Sequence, residues 1–302
     1  MKHFLSVKDL SKNEIMDLIK LAVDHKQNPG KYSQALAGKS IATIYEKPSL
    51  RTRVSFDVGI AKLGGHSVYL DQQNGALGKR ESVKDFALNL SCWVDAIVAR
   101  VFEHDTLVEL AEHGSVPVVN SLCNLYHPCQ AIADYQALYE ARGNSLDGAS
   151  IAYVGDGNNV THSLLLAGAI LGLKVVSVTP VGYSPDAQVV QLAQKLAAEN
   201  GGEIIISNDV NDAKGVDAIY NDTWISMGDD KSLDDIKAKF APYKTTVQLM
   251  NDLDVKYFMH CQPVYRGIEV EDEVVDSEKS ILMAQAENRM HAQNAVLMTL
   301  LK

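Results

Sequence analysis

Residues 46–56 read EKPSLRTRVSF, and they gather Ser49, Arg51, Thr52 and Arg53 at the head of an apolar helical stretch. A helix N-terminus offers unpaired N–H groups and the positive end of the peptide dipole. Hydroxyls and guanidinium groups added there suit the grip of a tetrahedral oxyanion. The same residues suit a simple serine cap followed by solvated arginines, and position alone does not separate the two. Two later stretches do. Arg100 closes the apolar run DAIVAR, and His127, Pro128, Cys129 and Gln130 open a helix. All three places fall at the carboxyl ends of expected parallel strands, where ligands collect in such sheets. Polar groups on adjoining strand ends of one sheet predict an anion site.

The second half of the chain carries a different set. GDGNNV (155–160) has the start of a dinucleotide fingerprint, but its third glycine would fall at Val160, so the pattern fails and hydride transfer becomes the weaker reading. Asn159 is left as a polar group at the edge of a second sheet. NDTWISMG (221–228) places Asp222 and Ser226 four residues apart, and a carboxylate there suits a cationic amino group. MHCQPVYRG (259–267) sets Cys261 just after a strand, with Arg266 beyond it.

These groups must be positioned by elements that the periodicity outlines. Residues 6–26 predict opening helices, with Ser11 and Glu14 spaced as a capping box. KSIATIYE (39–46) reads as a buried strand. The next helix carries Val54, Val58 and Ala61 on one stripe and Phe56, Ile60 and Leu63 on the next, ending at Gly64-Gly65. Strand, helix, strand, helix, strand follow to residue 122, and 127–143 form a longer helix at a domain boundary. The pattern then repeats, with strands at SIAYVGD, KVVSVTP, EIIIS, DAIYNDTW and KYFMHC. Ser184-Pro185 is placed to open the third-quarter helix as cap and first residue. Residues 277–302 read as one helix. Strands alternating with helices imply parallel sheets. The expected fold is therefore α/β, two doubly wound parallel-sheet domains joined by interdomain helices, spanning 1–135 and 136–285, with 286–302 returning to the first.

Bulk properties narrow the field. The 302 residues are 46% hydrophobic, enough for large cores, and no run is long enough to span a membrane. A net charge of −10 argues against nucleic acid as a partner. It also makes a local concentration of arginine more telling. MKHFLSVKDLSKNEI turns polar at once, which predicts a cytoplasmic chain. Cys92, Cys123, Cys129 and Cys261 form no CxxC pair, so each is expected as a buried small hydrophobe rather than a disulfide partner.

Five of these stretches together resemble the motifs of the aspartate/ornithine carbamoyltransferase family. SLRTR is similar to STRTR, HPCQ is intact, DTWISMG is similar to DxxxSMG, HCQP to HCLP, and AENR (286–289) matches the C-terminal arginine motif. The resemblance covers nearly the whole chain. It implies carbamoyl transfer from carbamoyl phosphate to the side-chain amine of L-ornithine, with no metal and no cofactor. It implies a homotrimer with sites at subunit interfaces, closed by a neighbour's loop around Ala76–Ser82. Ser49, Leu50, Arg51, Thr52, Arg100, His127, Gln130, Cys261, Gln262 and Arg289 would bind carbamoyl phosphate. Asn159, Asp222, Ser226 and Met227 would bind ornithine. Arg100, His127, Asp222 and Cys261 would be catalytic. Leu50, Gln262 and Ala76 depart from the usual Thr, Leu and Gln, with Lys79 or Arg80 left to supply the loop's phosphate contact. N-acylated ornithine, putrescine or aspartate as acceptor, and a non-catalytic paralogue, are the alternatives.

Overall fold

The computed structural model of the chain describes residues 1–70, 77–224 and 233–302. It divides into two compact units, Met1–Gln136 with Asn288–Lys302, and Ala137–Glu287. Among the described residues, no helix is long and apolar enough to cross a membrane.

In the first unit, α1 (Lys12–Gln27) starts on the expected capping box, with the Ser11 hydroxyl accepting from the Glu14 N–H and the Glu14 carboxylate accepting from the Ser11 N–H. Then come β1 (Ser40–Tyr45), α2 (Leu50–Lys62), β2 (His66–Leu70), α3 (Val83–Leu90), β3 (Ala96–Arg100), α4 (His104–His113), β4 (Val118–Leu122) and α5 (Pro128–Ala141). The four strands are parallel in the order β2-β1-β3-β4. β1, β3 and β4 are buried almost throughout, as suits strands covered on both faces, while β2 at the sheet edge is partly exposed. The register pairs Tyr45 with Arg100 and Arg100 with Leu122, so three strand ends lie side by side. Phe4 adds a parallel bridge to Val119 that periodicity did not reveal.

α2 packs through one stripe, not two. Phe56, Ile60 and Leu63 are buried, while Leu50, Val54 and Val58 are 76%, 50% and 41% exposed. The packed face is fixed at Gly59, where an added Cβ would lie 2.4 Å from Asn294 Oδ1. The helix turns where expected, at Gly64 with φ +79°.

The second unit contains β5 (Ser150–Val154), α6 (Asn159–Leu171), β6 (Lys174–Val178), α7 (Ala187–Asn200), β7 (Glu203–Ser207), β8 (Ala218–Asn221), α8 (Leu233–Phe240), α9 (Val247–Asp252), β9 (Tyr257–His260), α10 (Asp272–Val275) and the start of α11 (Leu282–Leu300). Its parallel sheet runs β7-β6-β5-β8-β9. α6 is buried from Val160 to Leu171, as suits a helix that is apolar all round. Ala152, Val154, Val176, Val178, Ile219 and Phe258 anchor a core under the sheet. Both α5 and α11 contain a division between the units.

Three further expectations of the sequence are corrected. α7 starts after Asp186, whose carboxylate caps the N–H groups of Gln188 and Val189; Ser184 and Pro185 instead lie against Gly157. Residues 277–281 are not helical, because Phe258 exchanges backbone hydrogen bonds with Lys279 and Ile281 and draws that segment alongside β9. Cys92 is exposed, since it lies past the end of α3 where the chain turns toward β3.

Candidate active site

The described residues place two clusters of functional groups, one in each unit. In the first, three strand ends and α11 converge. Ser49 stands at the cap position of α2, yet its hydroxyl makes no cap hydrogen bond. It accepts from the Arg100 guanidinium at 2.8 Å instead. Thr52, buried in the first turn, accepts from Arg100 at 3.3 Å and from Arg289 of α11. The two cationic side chains thus share the Thr52 hydroxyl. Arg100 has no carboxylate partner among the described residues, and burial, helped by the Arg289 charge, holds its pKa down to about 10. A half-buried guanidinium beside another, bonded only to hydroxyls, leaves positive charge that an incoming anion would neutralise.

His127 lies buried next to both arginines. Burial, then the charges of Arg289 and Arg100, hold its imidazole well below the ordinary value, so it is neutral near pH 7. A neutral ring has one N–H to donate. Gln130, one turn on along α5, donates from Nε2 to Asp134 at 2.7 Å. That bond fixes the amide so that the buried Oε1, which has no partner among the described residues, is an acceptor. Cys129 between them is no nucleophile, because burial pushes its thiol up to about 12.

Arg51 and Leu50 are both exposed at the start of α2. Arg53 belongs to the scaffold: it pairs with Asp57 at 3.5 Å and lies over the Tyr69 ring at 3.6 Å. Glu46, at the end of β1, is a contributor that sequence reasoning missed. Its carboxylate accepts from the N–H groups of Leu77 and Phe102, both at 2.8 Å, tying two loops at this edge. Lys79 and Arg80 are exposed, and Ala76 lies outside the described residues.

The second cluster sits on β5, β8 and β9, whose last residues stand in register, Val154 with Asn221 and Asn221 with His260. Asp222 therefore neighbours Cys261, and the thiol donates to its Oδ1 at 3.0 Å. The Thr223 N–H adds a bond to the same oxygen at 2.8 Å. Asn159 is the first residue of α6. Gln262 has φ +60° and directs its amide toward Met283 Sδ at 3.9 Å. Ser226 and Met227 lie outside the described residues. Arg266 is engaged elsewhere, in ion pairs with Asp272 and Asp276.

Donor atoms of Asp222, His260 and Cys261 lie within 4.8 Å of one another, the sole such trio among the described residues. His260 is turned toward its own loop, however. Nδ1 accepts from the Gln262 N–H at 2.9 Å and Nε2 faces buried Glu269 at 3.4 Å. The geometry is that of a hydrogen-bonded carboxylate and thiol, not of an ion cage.

Family models match the chain as the aspartate/ornithine carbamoyltransferase carbamoyl-P binding domain over residues 2–140 and the Asp/Orn binding domain over residues 147–300. The chain belongs to the aspartate/ornithine carbamoyltransferase family. It is 60% identical to an ornithine carbamoyltransferase of Moritella abyssi over the full length of both chains, and equally so to one from Vibrio sp. (strain 2693). Among solved structures, ornithine carbamoyltransferase from Pyrococcus furiosus superposes with a TM-score of 0.93 at 44% identity, covering 98% of this chain and 96% of that one. The first cluster falls in the part matched as the carbamoyl-P binding domain, apart from Arg289, which α11 returns to it.

Proposed function

We propose that this chain transfers the carbamoyl group of carbamoyl phosphate to the side-chain amine of L-ornithine, giving L-citrulline and phosphate, within arginine metabolism. The carrying observation is the bonded cluster of Ser49, Thr52, Arg100 and Arg289 at a helix N-terminus, in a chain this similar to ornithine carbamoyltransferases. In this reading the first unit takes carbamoyl phosphate and the second takes ornithine.

Ser49, Arg51, Thr52 and the Leu50 N–H hold the phosphate, with Arg289 supporting it. Thr52, Arg100 and neutral His127 donate to the carbamoyl oxygen. Gln130 Oε1 accepts from the carbamoyl amide. Asn159, Asp222, Ser226 and Met227 hold ornithine. The neutral amine attacks the carbamoyl carbon, a tetrahedral oxyanion forms, the C–O bond to phosphate breaks, and phosphate leaves with the electron pair. Donors aimed at the oxyanion contribute roughly 2.7–4 kcal/mol each in comparable sites. Neutralised phosphate is the better leaving group, and much of the remaining acceleration is positioning. Asp222 and Cys261, bonded to each other, bind the amine and manage its proton.

The reading extends to a cytoplasmic homotrimer. Leu50, Val54 and Val58 are spaced four apart on one exposed face of α2, an apolar stripe that suits a second copy. Light scattering on the purified protein tests the trimer; a monomer mass at micromolar concentration would reject it. The reaction is tested by offering ornithine, N-acetylornithine, putrescine and aspartate with carbamoyl phosphate and measuring ureido product. Product from ornithine alone is expected, and its absence with ornithine overturns the proposal.

A further inference from the structure

Asn158 precedes Asn159 at the head of α6, and its side chain does two jobs at once. Its Oδ1 accepts from the N–H groups of Val160 and Thr161 at 2.9 and 3.3 Å, capping α6. Its Nδ2 donates to Asp222 Oδ2 at 2.9 Å. The other carboxylate oxygen is taken by the Thr223 N–H and the Cys261 thiol. Asp222 is buried, and these donors fix both its oxygens. The Asn158 backbone is itself held, with its N–H bonded to Asp156 O at 2.8 Å and the Thr161 hydroxyl on that same carbonyl at 3.2 Å. Gly157 lets this turn lie against Tyr183–Pro185, since a Cβ there would come 2.3 Å from the Pro185 nitrogen.

We infer that Asn158 is a positioning residue for the amine: its amide ties the rigid N-terminus of α6 to the Asp222 carboxylate and so sets where that carboxylate points. The inference rests on the proposed transfer to ornithine. Only an amide of this length meets both demands. Aspartate caps helices well but has no proton for Asp222, and serine caps well but ends one atom short of it.

That difference supplies the test. Steady-state kinetics on Asn158→Ser, Asn158→Asp and Asn158→Ala are compared with wild type, varying ornithine and carbamoyl phosphate separately. Asn158→Ser keeps the cap, so its melting temperature stays near wild type. Its kcat/KM for ornithine is expected to fall at least tenfold while KM for carbamoyl phosphate stays within twofold. Asn158→Asp, which sets two carboxylates together, is expected to fall further. Asn158→Ala is expected to lose both stability and ornithine turnover. Wild-type kinetics in the Ser and Asp variants, with only the Ala variant less stable, would make Asn158 a helix cap and overturn the inference. Equal losses for both substrates would also overturn it. Wild type failing to use ornithine would instead sink the functional reading, independently of the variants.

Discussion

The two clusters differ in how their charge is balanced. In the first unit, Arg100 and Arg289 meet hydroxyls, and positive charge is held near neutral His127. In the second, the Asp222 carboxylate is surrounded by donors from Asn158, Thr223 and Cys261. In the proposed reaction an anion completes the first, bonding to Arg100, whose partners among the described residues are the Ser49 and Thr52 hydroxyls. The second is internally bonded and needs only to aim its carboxylate. In the proposed reaction, loss of a group should be felt as lost phosphate affinity or oxyanion stabilisation in one case and as misplaced amine in the other.

The sharpest break of that contrast is Arg100→Met. Removing a donor to the developing oxyanion is expected to cost about 10²–10³ in kcat by analogy with oxyanion-hole deletions. KM for ornithine should change little, and steady-state kinetics will show it. Arg51→Ala comes next: carbamoyl phosphate affinity by calorimetry should fall about tenfold or more, as for a charge-assisted hydrogen bond worth roughly 1.5–3 kcal/mol. An unchanged affinity would remove Arg51 from the phosphate contacts. Cys261→Ser replaces the thiol that bonds Asp222 at 3.0 Å with a shorter hydroxyl. Turnover with ornithine should drop several-fold while carbamoyl phosphate affinity holds, and a fall in that affinity would blur the contrast.

Protonation bears on the first unit's stability. Burial holds His25, His104 and His127 below their ordinary pKa, assisted by Lys62, by Lys8, and by Arg289 with Arg100 respectively, and all three lie in the first unit. A depressed histidine binds its proton more readily when unfolded. Its contribution to stability is complete above about pH 6.5 and is lost as pH falls toward the folded value. Melting temperature should fall between pH 7 and pH 5, and His127→Gln should flatten part of that slope. The smallest effect is expected at Ser11→Ala, where loss of the capping box should lower stability by about 1 kcal/mol without touching kinetics, as thermal melts can check.

Much of the fold was legible because its signals are local. Parallel strands buried on both faces write themselves as apolar runs, and Ser11, Glu14 and Gly64 mark helix ends through their own backbone demands. What was not legible depends on contact. Val54 and Val58 match a helical stripe as well as Phe56 and Ile60 do, and only the packing of Asn294 against Gly59 decides which faces inward. Asn158 bonds a carboxylate, Asp222, that lies just past the end of β8 and 64 residues away in the chain.

By itself, the amino-acid order determined the alternation of strands and helices and the placing of hydroxyls, arginines, histidine and thiol just after strand ends, because hydrophobic period and turn chemistry act over a few residues. The tertiary structure alone decided that Ser49 serves Arg100 rather than its own helix, that α11 carries Arg289 back to Thr52, and that His127 is neutral. Those outcomes depend on desolvation and on charges brought close from distant parts of the chain, quantities that no local pattern encodes.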